Sequence, residues 1–226
     1  MTILTLPHGD VCPSLGLGTW RLGEAAAARP REVAALRLAL ELGYRLFDTA
    51  EMYGEGGAET VLGLAIAEAL RAGTVTRDEL FIVSKVYPHN ADRKCTVAAC
   101  DRSLRRLGLD HVDLYLLHWR SAHALSETVA GFEALTSGKR IRHWGVSNFD
   151  GADLDELQAV PGGGACATNQ VCYSLAERGV GFDLLPRMRK DGMPLMAYCP
   201  IAQGQLARDS ALAEVGARHG ATAAQV

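Results

Sequence analysis

Four residues of this chain, Asp48, Tyr53, Lys85 and His118, suit one task between them. They can move a proton to or from an oxygen on a carbonyl carbon. A free phenol titrates near pH 10, a poor match to neutral conditions. An ammonium beside Tyr53, from Lys85, favours the phenolate and is expected to lower that value. Asp48 beside Lys85 would keep the lysine charged, because an isolated buried lysine loses its proton. His118 can donate a hydrogen bond to a substrate oxygen. No nucleophile with a matching base appears. His118 has no second histidine at a strand end, so no metal site is expected and a metal-dependent hydrolase is the weakest reading.

Each of these residues also has a structural explanation. Asp48 could be a helix N-cap, Tyr53 a loop aromatic, Lys85 a solvated side chain and His118 a satisfied core histidine. All four explanations would have to hold together, at the ends of successive elements, and those elements carry the argument further.

Short apolar runs alternate with segments of helical period. The runs are 15–18, 44–47, 80–83, 112–117, 141–146, 168–171 and 194–198. With little polar alternation, they read as strands buried on both faces, as in a parallel sheet. Helices are expected from Pro30 to Leu42 with Gly43 as the stop, from Asp92 to Leu107 before Gly108, from Thr128 to Thr136, from Asp153 to Gln158, and from Asp183 to Lys190 before Gly192. The runs start about 30 residues apart, the length of a βα unit. Ahead of them, 3–6 and 10–13 around Pro7-His8-Gly9 predict a small β-hairpin. Strict alternation leaves an open doubly wound sheet or a (β/α)8 barrel. A dinucleotide-binding sheet needs Gly-x-Gly-x-x-Gly leading into a helix. Here Gly16-x-Gly18 is followed by Arg21 where the third glycine belongs, and no helix starts there. The expectation is therefore a barrel, organised as one domain over 1–226.

Polar and aromatic residues cluster where each run stops: Thr19 and Trp20, Asp48 to Tyr53, Lys85 and Tyr87, His118 and Trp119, Ser147 and Asn148, Gln170, and Tyr198 and Cys199. In a closed barrel these ends surround a single mouth, the face where barrel enzymes keep their active sites.

At these residues the chain resembles the aldo-keto reductases. The stretch 43–54, Ser84-Lys85-Val86, the histidine strand 113–119, Gly145 to Phe149, Asn169 to Val171 and Leu195 to Pro200 all match blocks of that family, with spacing preserved from about Leu15 onward. The resemblance implies a (β/α)8 TIM barrel that binds NADPH, with NADH not excluded, and reduces aldehydes or ketones by hydride transfer. Asp48, Tyr53, Lys85 and His118 fall on the family's catalytic positions, with Tyr53 as proton donor. Ser147, Asn148 and Gln170 fall on positions that hold the nicotinamide carboxamide, and Tyr198 on the aromatic that stacks on its ring. Gly18, Thr19 and Asp48 line the same region. Ile201, Gln203 and Gly204 fall in the loop along the pyrophosphate. Trp20, Tyr87 and Trp119, with His118, fall on the substrate pocket, whose aromatic walls suit uncharged carbonyl compounds. Cys199 stands where the family usually has Ser, and a thiol is a weaker hydrogen-bond donor.

Composition narrows the remaining classes. Hydrophobic residues make up 48% and charged residues 22% of 226, enough for a sizeable core and against disorder. The formal net charge is -3, with 26 acids and 23 bases interspersed, so there is no basic footprint for nucleic acid or an anionic membrane. No apolar run reaches the ~18 residues of a membrane span, and no signal peptide opens the chain. Six scattered cysteines without a Cys-x-x-Cys pair read as reduced thiols, which places the protein in the cytoplasm. Only seven of the eight βα units are found. The chain stops at Thr222-x-x-Gln225, a capping-box pattern that opens a helix. In the family this helix leads to the eighth strand and to the basic residues that grip the adenosine 2′-phosphate. That shortfall motivates an alternative: a truncated, inactive barrel that binds a nucleotide or a partner.

Overall fold

The computed structural model describes residues 2–7 and 9–226. Met1 and His8, the latter in the turn of the expected hairpin, lie outside the described residues. The hairpin forms around that turn: β1 (Ile3–Thr5) pairs antiparallel with β2 (Val11–Pro13), Leu4 opposite Cys12.

Seven parallel strands follow in sequence order: β3 (Gly16–Gly18), β4 (Leu46–Asp48), β5 (Phe81–Val86), β6 (Val112–Leu117), β7 (Ile141–Ser147), β8 (Asn169–Cys172) and β9 (Leu195–Tyr198). Each pairs with its sequence neighbour, and the sheet curls into a nearly closed barrel with one open seam between β3 and β9. The sequence-predicted strands are all present. The third of them, β5, extends to Val86, so Lys85 lies inside a fully buried strand rather than just beyond it.

Side-chain alternation explains the site. Phe81 and Val83 on β5, Leu114 and Leu116 on β6, and Leu46 on β4 pack inside the barrel with Leu6 and Cys12 of the hairpin, which closes its floor. Ile82, Tyr115 and Leu117 face the helices instead. Continuing the inward rows by two residues reaches Lys85, His118 and Asp48. The same period that fills the core therefore delivers the polar groups to its mouth.

The helices are α1 (Arg29–Glu41), α2 (Gly57–Arg71), α3 (Arg93–Leu107), α4 (Leu125–Ser137), α5 (Gly151–Ala159), α6 (Leu184–Lys190) and α7 (Ser210–Arg218). Asp92 caps α3 by accepting from Cys95 N, and Gly108 ends it in a left-handed conformation (φ 67°). Asp150 and Asp153 form a capping box that starts α5 two residues before the expected Asp153. α4 begins three residues ahead of Thr128. Two helices, α2 and α7, had no counterpart among the expected ones. The buried residues Ala58, Val61, Leu62, Ala65, Ile66 and Ala69 of α2 recur at three- and four-residue spacing on one face, but the apolar Leu64 and Ala67, both exposed, interrupt the pattern on the outer side. At the C-terminal residues, Thr222 and Gln225 make a single turn in which Gln225 Oε1 accepts from Thr222 N.

Candidate active site

Lys85 is fully buried, and its ammonium spends its three hydrogens on three oxygens: Asp48 Oδ1 at 2.5 Å, Thr49 O at 3.0 Å and Tyr53 OH at 3.3 Å. Burial works against its charge, but Asp48 and the Tyr53 oxygen outweigh that effect and hold the lysine above its ordinary range.

Tyr53 follows β4 on a tight turn in which Gly54, Glu55 and Gly56 are all left-handed (φ 56°, 53° and 86°). The glycines on either side of Glu55 let the chain reverse there without a Cβ penalty. The lowered phenol expected from the sequence does not appear. Burial is the largest influence on Tyr53 and pushes its phenol upward, Lys85 pulls it down, and Asp48 raises it again. The ammonium is shared with Asp48, so its pull on the phenol is largely offset. The net result is a phenol that stays protonated at neutral pH.

His118 meets the Tyr53 ring edge-on, with ring centroids 5.6 Å apart. Burial, reinforced by the Lys85 charge, lowers its imidazole to about 3, so it is neutral. Its Nδ1 is buried without a hydrogen-bond partner. Behind β5, Ser84 donates to the fully buried Glu59 at 2.6 Å, and Arg106 closes the pair with Nε 2.6 Å from the same carboxylate. This fixes the strand that carries Lys85.

The C-terminal strand ends open into a cleft of about 730 Å³. Gly18, Trp20, Asp48, Tyr53, His118, Trp119, Ser147, Asn148, Gln170, Tyr198, Cys199, Ile201 and Gln203 line it. Hydrogen bonds organise the residues of the later strands. Ser147 Oγ donates to Gln170 O at 2.8 Å, Asn148 Nδ2 to His118 O at 3.1 Å, and Tyr198 OH to Asn148 Oδ1 at 2.9 Å. Asn148 adopts a left-handed φ of 58°, which asparagine tolerates better than most residues.

Four expected residues stand off this wall. Lys85 is behind Tyr53. Thr19 is fully buried with its hydroxyl donating to Asp48 O at 3.0 Å, so it braces Asp48 from outside the cleft. Tyr87 sits beyond Trp119, with ring centroids 5.6 Å apart. Gly204 is one residue past the lining Gln203. Three lining residues, Arg21, Met52 and Pro200, were not expected. Each is a chain neighbour of an expected one, and that adjacency was the only signal in the sequence.

Among the described residues no group of three or more His, Cys, Asp or Glu is placed to hold a metal ion, and no helix is long and apolar enough to cross a membrane.

A model of the aldo/keto reductase family matches residues 14–225. Methylglyoxal reductase YeaE of Escherichia coli (strain K12) is 50% identical over 224 residues, covering 96% of this chain and 76% of that protein. A crystal structure of an aldo/keto reductase from Klebsiella pneumoniae in complex with NADP and acetate superposes with a TM-score of 0.89 at 46% identity, covering 97% of this chain and 77% of that one. An aldo-keto reductase from Klebsiella pneumoniae in complex with NADPH gives a TM-score of 0.89 at 45% identity, covering 100% and 79%.

Proposed function

The chain belongs to the aldo/keto reductase family, and on that premise we propose that Tyr53 is the proton donor of an NADPH-dependent carbonyl reduction on small aldehydes of the methylglyoxal type. The protein is an NAD(P)H-dependent oxidoreductase that reduces carbonyl compounds to alcohols. The observation that carries the assignment of Tyr53 is the buried Lys85 ammonium, shared between Asp48 Oδ1 at 2.5 Å and Tyr53 OH at 3.3 Å on the wall of the cleft.

The donor set suits a nicotinamide. Its carboxamide needs both donors and acceptors, and Ser147, Asn148 and Gln170 bring groups of both kinds to the cleft; Gln170 Oε1 can accept, while the Asn148 and Gln170 N–H groups would re-pair from His118 O and Asp48 Oδ2. The Tyr198 ring lines the same cleft, and Ile201 and Gln203 extend it. NADPH, when bound, supplies a hydride for the carbonyl carbon. Tyr53 then gives its hydroxyl proton to the carbonyl oxygen as negative charge develops there. Lys85 stabilises the phenolate left behind, and Asp48 keeps Lys85 charged and in place. His118, neutral, orients the carbonyl by a hydrogen bond. Trp20 and Trp119 flank the pocket with apolar surface. The relative that reduces methylglyoxal supports a small aldehyde as substrate, and six free cysteines support residence in the reducing cytoplasm.

The test follows NADPH absorbance with methylglyoxal as substrate. The unaltered protein is expected to turn over. Tyr53→Phe is expected to lose a factor of about 10²–10⁴ in kcat while NADPH still binds with its usual fluorescence change. Full turnover in Tyr53→Phe would sink the assignment.

A further inference from the structure

Glu51 lies between Asp48 and Tyr53 in sequence, yet its carboxylate turns away from both. Its side chain is 8% exposed. Oε1 accepts from Tyr87 N at 2.7 Å and from Asn90 Nδ2 at 3.0 Å, and Oε2 faces Arg102 Nη2 at 3.3 Å. Its own N–H donates to Lys85 O at 3.3 Å. One residue thus ties the turn that carries Tyr53 to the segment that follows β5. The far end of that segment has separate anchors, with Thr96 donating to Asn90 O and Thr128 to Ala91 O. The near end, at Tyr87, depends on Glu51.

Tyr87 in turn meets Trp119 at 5.6 Å, and Trp119 meets His118 at 4.9 Å. Trp119 remains 36% exposed, and the Tyr87 ring packs edge-on against it. A bulky substrate must press on this aromatic wall, whereas a three-carbon aldehyde seated at Tyr53 and His118 need not.

We propose that Glu51 is a positioning residue that sets the substrate range: by holding Tyr87 against Trp119 it gives the pocket a firm wall for bulky aromatic aldehydes and matters less for small ones. This rests on the carbonyl-reductase reading above. A single acceptor oxygen, Oε1, serves both Tyr87 N and Asn90 Nδ2, and the carboxylate charge strengthens both bonds.

The experiment compares Glu51→Ala, Glu51→Gln and Asn90→Ala with the unaltered protein on 4-nitrobenzaldehyde and on methylglyoxal. In Glu51→Ala the ratio of KM for the aromatic aldehyde to KM for methylglyoxal is expected to rise about tenfold, with NADPH affinity unmoved. Glu51→Gln keeps an acceptor oxygen for Tyr87 N–H and Asn90, so it should restore most of the ratio. Asn90→Ala should move it in the same direction by less, and it serves if Glu51→Ala does not fold. Hydrogen exchange at residues 87–91 should speed up in Glu51→Ala and stay slow in Glu51→Gln. Equal KM changes for both aldehydes, or a Gln variant as impaired as the Ala variant, overturns the proposal. Unchanged exchange at 87–91 overturns the tether while leaving the enzyme assignment standing. Absence of NADPH oxidation by the unaltered protein with either aldehyde removes the functional reading and the specificity role with it, even if the exchange result holds.

Discussion

Gln170 Nε2 donates to Asp48 Oδ2 across 2.8 Å, while Oδ1 of the same carboxylate holds Lys85 at 2.5 Å. The two residues are 122 positions apart in sequence. The amide proposed to hold the nicotinamide is therefore one carboxylate away from the lysine that tunes Tyr53. The two halves of the site share a single anion.

This shared carboxylate makes Gln170→Leu informative. The substitution removes a hydrogen bond to a charged group, worth about 1.5–3 kcal/mol, together with a carboxamide contact to the cofactor. Two effects are expected: NADPH affinity falls at least about tenfold, and kcat at saturating NADPH also falls because Asp48 is less well held. Gln170→Glu should do worse, since it sets two carboxylates against each other at hydrogen-bond distance. Fluorescence titration with NADPH and steady-state kinetics separate the two effects. A kcat unchanged in both variants would uncouple Gln170 from the proton donor.

Tyr53 gives the reaction a directional pH dependence. Its phenol is raised by burial and then by Asp48, with Lys85 opposing. Below its folded-state value the group is protonated and able to donate, so carbonyl reduction should be level from about pH 6 to 9 and fall only in more alkaline solution. Alcohol oxidation needs the phenolate and should climb across the same range. Initial rates in both directions on one buffer series check this. A reduction rate that falls between pH 7 and 8 would show a phenol lowered by Lys85 instead.

That sign is where the sequence and the folded site part company. The strand-and-helix alternation, the ring of polar strand ends and the grouping of Asp48, Tyr53, Lys85 and His118 were all legible, because they follow from a period-two pattern that runs unbroken from the core to the mouth. How the charges balance was not, because it depends on distances: Lys85 is closer to Asp48 than to Tyr53. The bond that Thr19 makes was hidden for a related reason: its hydroxyl donates to the Asp48 carbonyl, 29 residues away. Glu51 was visible among the polar residues after the second strand, but its role was not, since its partners Tyr87, Asn90 and Arg102 are 36–51 residues away. α2 does carry a helical stripe, from Ala58 to Ala69, but the exposed apolar residues Leu64 and Ala67 blur it in the sequence.

His118 should make the fold acid-sensitive. Its imidazole titrates at about 3 in the folded protein against an ordinary 6.5, first because it is buried and then because Lys85 is near. Between those values the unfolded chain binds a proton that the folded chain does not, so stability falls as the pH drops from 6.5 toward 3. The loss attributable to this group is on the order of a few kcal/mol. His118→Asn removes the titration, and urea unfolding midpoints should then depend less on pH across this window. Parallel slopes for the two proteins would assign the acid sensitivity to other groups.

The loop that carries Trp20 is held by backbone contact. Gly23 is left-handed (φ 74°), and a Cβ built there would lie 2.1 Å from the carbonyl carbon of Gly57; a Cβ on Gly57 would lie 2.2 Å from Gly23 O. Neither neighbour is a flexible side-chain end, so the loop and the start of α2 must separate to admit a methyl group. Gly23 N also donates to Glu32 Oε2 at 2.9 Å, which fixes the loop from its other side. Gly57→Ala is therefore expected to cost about 1–3 kcal/mol through overpacking and to raise KM, because the displaced loop takes Trp20 away from the pocket that Tyr53 faces. Gly73→Ala is the control. Gly73 is also left-handed (φ 67°), but a Cβ there meets nothing within 4 Å, so its cost should be about 1 kcal/mol from backbone conformation alone, with KM unchanged. Urea unfolding and KM for methylglyoxal, measured on both variants, test the distinction. Gly57 itself is helical (φ -61°), so its cost is steric, and a Gly57→Ala variant with stability and KM unchanged would show that the close approach of Gly23 to Gly57 does not govern this part of the pocket.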